Sequence, residues 1–394
     1  MSVGPGPGRL GILWQLSSIS GWGLYGVQVT RALLARGGPR PVLGLPPFRF
    51  HPSPLEAPLF AQLEAEAAAL RERLGAARPG DRLDVDFPLL HALGEDLVPT
   101  HRAFEVTGRG DLGITFFVDP ALDQAVVERA RRYRAVVAGS TWNAVLLEAA
   151  GVANVRLVLQ GVDATIFHPA PKARLFPGRF LVFSGGKLEF RKGQDIVVAA
   201  FREFHRRHPE ALLIANWFNS WPKLIETMAL SPHHPKAPIL KEDGPDIEGW
   251  LGEQGLAPGS FRVLGEIPNA LLGSVIRECD AALFPNRAEP GTNLVAMECL
   301  ASGVPTILSA NTGHLDFADS NLAFVLGDQG SVATPPFHRS TAGWGESKIE
   351  EIVDALERIF AHPERAAAVA GNAAARLAEL AWPKQIERLL ERLG

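Results

Sequence analysis

Only two cysteines occur in the 394 residues, Cys279 and Cys299, each inside apolar sequence (IRECDAAL, AMECLASG). Neither a disulfide framework nor a thiolate metal centre can be built from them. Buried free thiols in a reducing compartment are expected. No run of about 18 apolar residues is present to span a bilayer, and the N-terminus lacks the basic-then-apolar order of a signal peptide, so a cytoplasmic protein is expected. Excess positive charge is missing too: 39 Lys plus Arg stand against 43 Asp plus Glu, a net charge of -4. Residues 1–170 contain no lysine at all, and their sixteen Arg are matched by sixteen acidic residues. A nucleic-acid partner is therefore excluded. The local run ERARRYR, Glu128–Arg134, reads either as a solvated helix face or as a weak peripheral contact with anionic lipid at the inner face of a membrane.

Acid is the last absence, and it decides a motif. Gly21-Trp-Gly23-Leu-Tyr-Gly26 follows the apolar run LGILWQL and fits the dinucleotide fingerprint G-x-G-x-x-G. That fingerprint requires a carboxylate about 20 positions on, where it takes the ribose hydroxyls of NAD. No carboxylate of any kind precedes Glu56, and SSIS separates the apolar run from the first glycine. NAD does not fit. Two readings of these glycines remain: a loop before a helix N-terminus that approaches a phosphate or sugar closely, or glycines that only let a helix lie close on a sheet.

Short apolar runs alternate with amphipathic stretches through most of the chain, the mark of an α/β architecture with parallel sheets. RLGILWQL, PVLGL, DFPLLHAL, LGITFFV, YRAVVAGS and VRLVL read as strands of the first half; Val27–Arg36, Pro58–Leu74, Ala121–Arg132 and Trp142–Ala150 read as helices. His168–Gly178 is proline-rich and reads as a linker. After it the pattern restarts with RFLVFSGG, helix Gln194–His208, ALLIANW, RVLGEI, helix Asn269–Cys279, DAALFPN, helix Asn293–Ser302 and GVPTILS. Two Rossmann-like domains, 1–170 and 171–380, with a cleft between them are expected. Trp217–Gly259 reads as an irregular excursion with a short helix near Asp246–Gln254.

Two stretches carry chemistry. In Asn286–Ser309, a strand ends in a loop with Glu289 and Gly291, and Thr292 or Asn293 can cap the next helix. That helix is apolar nearly all round, with Glu298 its one charge. A buried carboxylate costs several kcal/mol unless something bonds it. Glu298 therefore faces either a cleft, where it accepts from ligand hydroxyls, or a core cation. The backbone N–H groups of Gly291, Thr292, Asn293 and Leu294 form an anion site at the helix N-terminus. In Val182–Asp195, Lys187 and Lys192 flank a short loop entering a helix at Gln194, two cations that suit a diphosphate leaving group. It is no Walker loop, because Leu188 follows Lys187 where Ser or Thr is required.

Together these stretches resemble the retaining glycosyltransferases of the GT-B fold, in particular the family-four group. Lys187 takes the family's Arg position and Lys192-Gly193 its Lys-Gly; Glu289, Glu298 and ASGVP (Ala301–Pro305) match its paired glutamates before A-x-G-x-P. LQGVDATIFHP (Leu159–Pro169) is similar to its interdomain signature, and LAWPKQIERLL to its closing helix. The resemblance implies two Rossmann-like domains facing across a cleft, with residues 381–394 a helix returning to the N-terminal domain. It implies a hexosyltransferase of polysaccharide-building type that uses a nucleotide-sugar donor such as a UDP- or GDP-hexose, with no cofactor. The acceptor would be a glycan, a lipid-linked or a small-molecule hydroxyl. Lys187, Lys192 and Glu289 would be the catalytic residues. Glu298 would bind the ribose, Gly291–Leu294 the sugar and diphosphate, and Gly23 would face the donor diphosphate from the N-terminal domain.

Three departures accompany it. Eight residues separate the glutamates where the family has seven. Lysine for arginine at 187 loses the bidentate fork. The family's histidine after the LGITFFV strand is absent, leaving Asp119 or His91 as candidates for the sugar or acceptor, with a satisfied core histidine the rival reading of His91. Asp84-Val-Asp86 imitates a D-x-D metal motif but precedes a strand, so no metal is expected, and His233-His234 reads as surface. The other class of function is a noncatalytic glycosyltransferase-like subunit that binds a glycan or supports a partner; a GT-B phosphorylase or epimerase is the third.

Overall fold

The computed structural model describes residues 8–100 and 105–392. It divides into two compact units, Met1–Gly161 with Leu380–Gly394, and Val162–Glu379. The last two residues of the segment expected over 381–394 lie outside the described residues.

Unit one is built on a six-stranded parallel sheet of order β2-β1-β3-β4-β5-β6. Its strands are β1 (Arg9–Ile12), β2 (Arg40–Leu43), β3 (Leu89–Leu93), β4 (Leu112–Thr115), β5 (Ala135–Ala138) and β6 (Val155–Leu157). β3, β4 and β5 are buried at every residue, as strands covered by helices on both faces must be. Helices α1 (Gly21–Arg36), α2 (Ala57–Glu66), α3 (Ala68–Ala76), α4 (Val126–Ala130) and α5 (Thr141–Ala149) fill the crossovers. Three differ from the sequence expectation for local reasons. α1 starts at Gly21, six residues before Val27, because Ser20 caps it by accepting from the Gly23 amide. The helix expected over Pro58–Leu74 breaks at Ala67 into α2 and α3. The one expected over Ala121–Arg132 shrinks to α4, since Asp119 and Asp123 each turn back onto the amide two residues on, at 3.0 and 2.6 Å.

Unit two repeats the plan with order β9-β8-β7-β10-β11-β12, all parallel. The strands are β7 (Phe180–Lys187), β8 (Ala211–Phe218), β9 (Phe261–Val263), β10 (Ala281–Phe284), β11 (Thr306–Ser309) and β12 (Phe324–Leu326). Around them lie α6 (Gln194–Arg207), α7 (Pro222–Glu226), α8 (Ile247–Glu253), α9 (Asn269–Glu278), α10 (Leu294–Ala301), α11 (Ile349–Ala361) and α12 (Pro363–Ala378). Their apolar faces close one core that includes Val182, Phe201, Leu213, Trp217, Leu283 and Leu356. The proline-rich His168–Gly178 is held to this unit: Lys172 pairs with Asp280, and Glu278 accepts from the amides of Ala173 and Leu175.

α13 (Trp382–Leu390) belongs to unit one. Trp382 lies so close over Gly161 that a Cβ there would come within 2.7 Å of it. The two segments LQGVD and LAWPK thus meet, and Arg36 reaches Glu387 at 2.7 Å.

Candidate functional site

In unit two the strand order reverses between β7 and β10, whose crossovers leave in opposite directions. Ligands of open α/β sheets bind at such a point, outside the carboxyl ends of the strands. Both chemically marked stretches arrive there: Leu188–Gly193 follows β7, and Pro285–Asn293 follows β10. The two loops are laced together, since the amide of Arg287 donates to the Arg191 carbonyl at 2.8 Å and the Arg191 guanidinium to the Ala288 carbonyl at 2.9 Å. Gly193 is required twice over. Its φ of 70° is left-handed, and a Cβ would lie 2.4 Å from the Pro285 carbonyl oxygen.

Charge is arranged on this lacing. Lys192 Nζ donates to Glu289 Oε1 at 2.5 Å, and Arg191 Nη1 stands 3.4 Å from Glu289 Oε2. Asn286 donates to the same carboxylate. Glu289 is 3% exposed. Burial alone would raise its pKa, but Lys192 and Arg191 outweigh that and hold it down at about 2. It is a fixed anion and no proton donor. Lys187, at the end of β7, has its pKa lowered by burial and lies with its ammonium 4.3 Å from the centre of the Trp221 ring. Beneath the loops Arg287 is wholly buried and bidentate to Asp195 at 2.8 and 2.7 Å, and it also pairs with Glu346.

α10 is buried at every residue but Val295, as its all-round apolarity requires. Asn293, not Thr292, caps it, with φ 58° and its side-chain oxygen facing the Ala296 amide. That use of Oδ1 turns its Nδ2 toward His314 Nε2 at 3.0 Å, so Nε2 accepts, and Nδ1–H faces Ser309 Oγ at 3.0 Å. Ser309 donates on to the Asn286 carbonyl at 2.7 Å. Burial pushes His314 down to about 4, which keeps it neutral in this role. Thr312, at φ 43°, accepts from the Glu289 amide at 2.7 Å. A left-handed β-branched residue is costly, and such strain collects at functional loops.

Glu298 has no cationic partner among the described residues. One carboxyl oxygen accepts from Asn269 at 2.6 Å; the other is buried without a partner among the described residues. Burial raises its pKa to about 8. Of the two readings open for Glu298, the core-cation one is thereby removed.

Unit one holds the remaining candidates, and it does not gather them. Gly23 lies inside the first turn of α1, where a Cβ would come within 2.2 Å of Ser17. A Cβ at Gly26 would lie 2.7 Å from Trp14 Nε1. Close packing of the chain after β1 is what these glycines permit. His91, a candidate sugar or acceptor ligand by sequence, is 3% exposed within β3 and bonds Asp111 at 3.1 Å. Asp111 also takes the amides of Leu89 and Gly108. His91 is a core histidine held through Nε2 by Asp111. Asp119 follows β4, buried, its amide on Glu95 at 3.1 Å. Asp84 and Asp86 are exposed and paired with Arg82 and Arg9. In the basic run, Arg131 pairs with Glu128 and Arg132 with Glu105. No helix among the described residues is long and apolar enough to cross a membrane.

Sequence reading missed Arg191, Asn269, Asn286 and His314. Arg191 carried a signal, a cation adjoining Lys192, and Asn286 stands three residues before the Glu289 it serves; Asn269 and His314 take their roles from distant partners.

Residues 268–389 match the family model described as Family 4 Glycosyltransferase in conflict systems. Over 195 residues the chain is 28% identical to the glycogen synthase of Mycobacterium tuberculosis (strain CDC 1551 / Oshkosh), a stretch that is 49% of this chain and only 38% of that relative. Among solved structures it is similar to sucrose-phosphate synthase from Thermosynechococcus elongatus (18% identity, 98% of each chain, TM-score 0.61). It is also similar to Anabaena HepE in complex with UDP and glucose (16% identity, 98% of this chain and 99% of that one, TM-score 0.58). At these identities the structural likeness carries the fold, two parallel-sheet Rossmann-like units of the GT-B class. The chain thus resembles the family-four glycosyltransferases by sequence over residues 268–389 and has the GT-B fold throughout.

Proposed function

We propose that this chain is a glycosyltransferase that moves a hexose-type sugar from a nucleoside-diphosphate sugar to a hydroxyl acceptor, with retention of configuration and without a metal. One observation carries the reading: Glu298 presents a carboxyl oxygen that is buried without a partner among the described residues, on the helix that follows the Glu289 loop, to which Lys192 and Arg191 of the neighbouring loop are paired. An open carboxyl oxygen in a protein interior is satisfied by a hydroxyl, and the ribose of a nucleotide supplies two. Accepting from them also favours the ionised form that burial opposes.

The rest of the loop chemistry suits the diphosphate. Lys187, Lys192 and the opening amides of α10, Gly291–Leu294, would stabilise it as the glycosidic bond to phosphate breaks. Glu289, ionised at any working pH, would accept from sugar hydroxyls and offset the developing positive charge at the anomeric carbon. Departure then leads, and the acceptor hydroxyl attacks from the face the diphosphate leaves, passing its proton to the departing phosphate oxygen. No strong enzyme base is needed on this route. Asp119 is the candidate of unit one for the acceptor, which would be a glycan, a lipid-linked or a small-molecule hydroxyl. The glycogen synthase, sucrose-phosphate synthase and HepE likenesses support a nucleotide-sugar donor of this kind.

Thermal unfolding against UDP, GDP, ADP and their glucose conjugates, with and without EDTA, tests it. A nucleotide at about 100 times its dissociation constant stabilises by roughly 2.7 kcal/mol. One nucleotide class is expected to raise the transition, unchanged by EDTA, and the rise should vanish in Glu298→Ala. If no nucleotide moves the transition, the reading fails and the partner-subunit class replaces it.

A further inference from the structure

We propose that Trp221 is a positioning residue for Lys187, and that through it the protein distinguishes nucleoside diphosphates from monophosphates. The inference rests on the reading above, in which Lys187 helps to hold the donor diphosphate, and assigns it the outer phosphate.

The three cations after β7 are held differently. Lys192 is fixed by Glu289, and Arg191 by Glu189, Glu289 and the Ala288 carbonyl. Lys187 has no carboxylate within ion-pair distance among the described residues. What meets its ammonium is the face of an indole, 4.3 Å from the ring centre. A cation within about 6 Å of a tryptophan ring is attracted by the ring's quadrupole, more strongly where water is displaced, and burial has already lowered the Lys187 pKa.

The backbone shows the same pairing. Lys187 stands opposite Phe218 in the β7–β8 register, and its carbonyl accepts from Gln194 at 2.7 Å. Asn219 joins the two sides: its Nδ2 donates to the Leu188 carbonyl at 3.1 Å, and its Oδ1 accepts from the Trp221 amide at 3.0 Å. One side chain thereby sets the distance between the segment bearing the cation and the segment bearing the ring. Trp221 itself is 50% exposed, so core packing does not account for an indole at this place. A lysine ammonium is a point charge on a flexible stem. The ring face limits where that charge can go, which matters for a phosphate at the far end of the nucleotide and not for one beside the ribose.

Calorimetric binding of UDP, UMP, GDP and GMP to the full chain tests this in Trp221→Leu, Trp221→Phe, Lys187→Met and the double variant Trp221→Leu/Lys187→Met. Trp221→Leu should weaken the diphosphate that binds by about fivefold and leave its monophosphate unchanged. Trp221→Phe should retain most of the diphosphate affinity. In the Lys187→Met background, Trp221→Leu should have no further effect. Equal losses for mono- and diphosphate, or the same loss without Lys187, overturn the role of Trp221 while leaving the donor reading intact. Should Trp221→Leu fail to fold, Trp221→Phe with diphosphate affinity as weak as that of Lys187→Met overturns it equally. No diphosphate binding by the unaltered chain overturns both.

Discussion

Each unit has a six-stranded parallel sheet and a reversal of strand order, between β1 and β3 in unit one and between β7 and β10 in unit two. The residues near the two reversals have opposite characters. Near the first are aromatics: Trp14 lies 5.5 Å from Trp22 and 6.1 Å from Tyr25, Trp22 meets Phe116 at 4.8 Å, and Tyr25 meets Trp382 at 5.2 Å. Near the second are Lys187, Arg191, Lys192, Glu289 and Glu298, with neutral amides and a histidine orienting them. Topology supplies a crevice in both; the cations gather at the second, where we propose that the phosphates bind. The aromatic cluster instead holds α13 and the chain after β1 against α1.

Breaking the support under the charged crevice should have the largest effect. Arg287→Met leaves the buried Asp195, and the half-buried Glu346 that His233 still meets, without their guanidinium, and removing one partner of a buried pair costs about 3–5 kcal/mol. Hydrogen exchange should accelerate in β7 and β10 while β1 and β3 keep their protection. Equal acceleration in all four strands would mean that the two sheets do not hold their stability separately.

A pair of glycine substitutions sharpens the contrast at smaller cost. In Gly23→Ala the new Cβ meets the Ser17 backbone, and the expected signature is lost urea stability of unit one, about 1–3 kcal/mol. In Gly193→Ala the left-handed φ and the Pro285 carbonyl both resist the methyl group, so the Lys192 loop must shift. Nucleotide affinity should then fall about tenfold or more, because small misplacements of charged groups are expensive. An unchanged nucleotide affinity in Gly193→Ala would detach Lys192-Gly193 from the site.

How legible this was follows from where each signal lies in the chain. The alternation of apolar runs and amphipathic stretches is local, so both sheets and most of the helices could be read, and so could the buried α10 with its single charge. Gly21–Gly26 could be read only as a choice, because spacing does not say whether a missing Cβ makes room for phosphate or for Ser17. His91 was ambiguous for the same reason: its partner Asp111 is twenty residues away. The amide–imidazole–hydroxyl chain from Asn293 through His314 to Ser309 was illegible, since each link is an ordinary polar residue until folding brings the next beside it. Ala67 and Asp119 show the limit for helices, where a one-residue break or a side-chain turn overrides a good apolar pattern.

The subtlest test concerns the carboxyl of the charged crevice whose shift opposes ionisation near neutral pH. Glu298 ionises near the ordinary carboxyl value of 4.5 in the unfolded chain and near about 8 in the folded one. Between these values the folded chain keeps a proton that the unfolded chain releases. The associated stability is complete below pH 4.5 and is lost as pH rises through 8, with a limiting slope of about 1.4 kcal/mol per pH unit. Glu289 has the opposite sign: held at about 2, it contributes above pH 4.5 and is lost only as pH falls toward 2. His314, lowered from 6.5 to about 4, costs stability as pH falls through that interval and is neutral in both states above pH 7. In the window from pH 7 to 8 these two are silent, and comparison with Glu298→Gln isolates Glu298. Urea midpoints of the unaltered chain should fall across it relative to Glu298→Gln, by roughly 1 kcal/mol at most. A constant difference between the two proteins would mean that the Glu298 carboxyl is already ionised when folded, satisfied by a donor other than Asn269, and the case for an open oxygen awaiting a ribose would be lost.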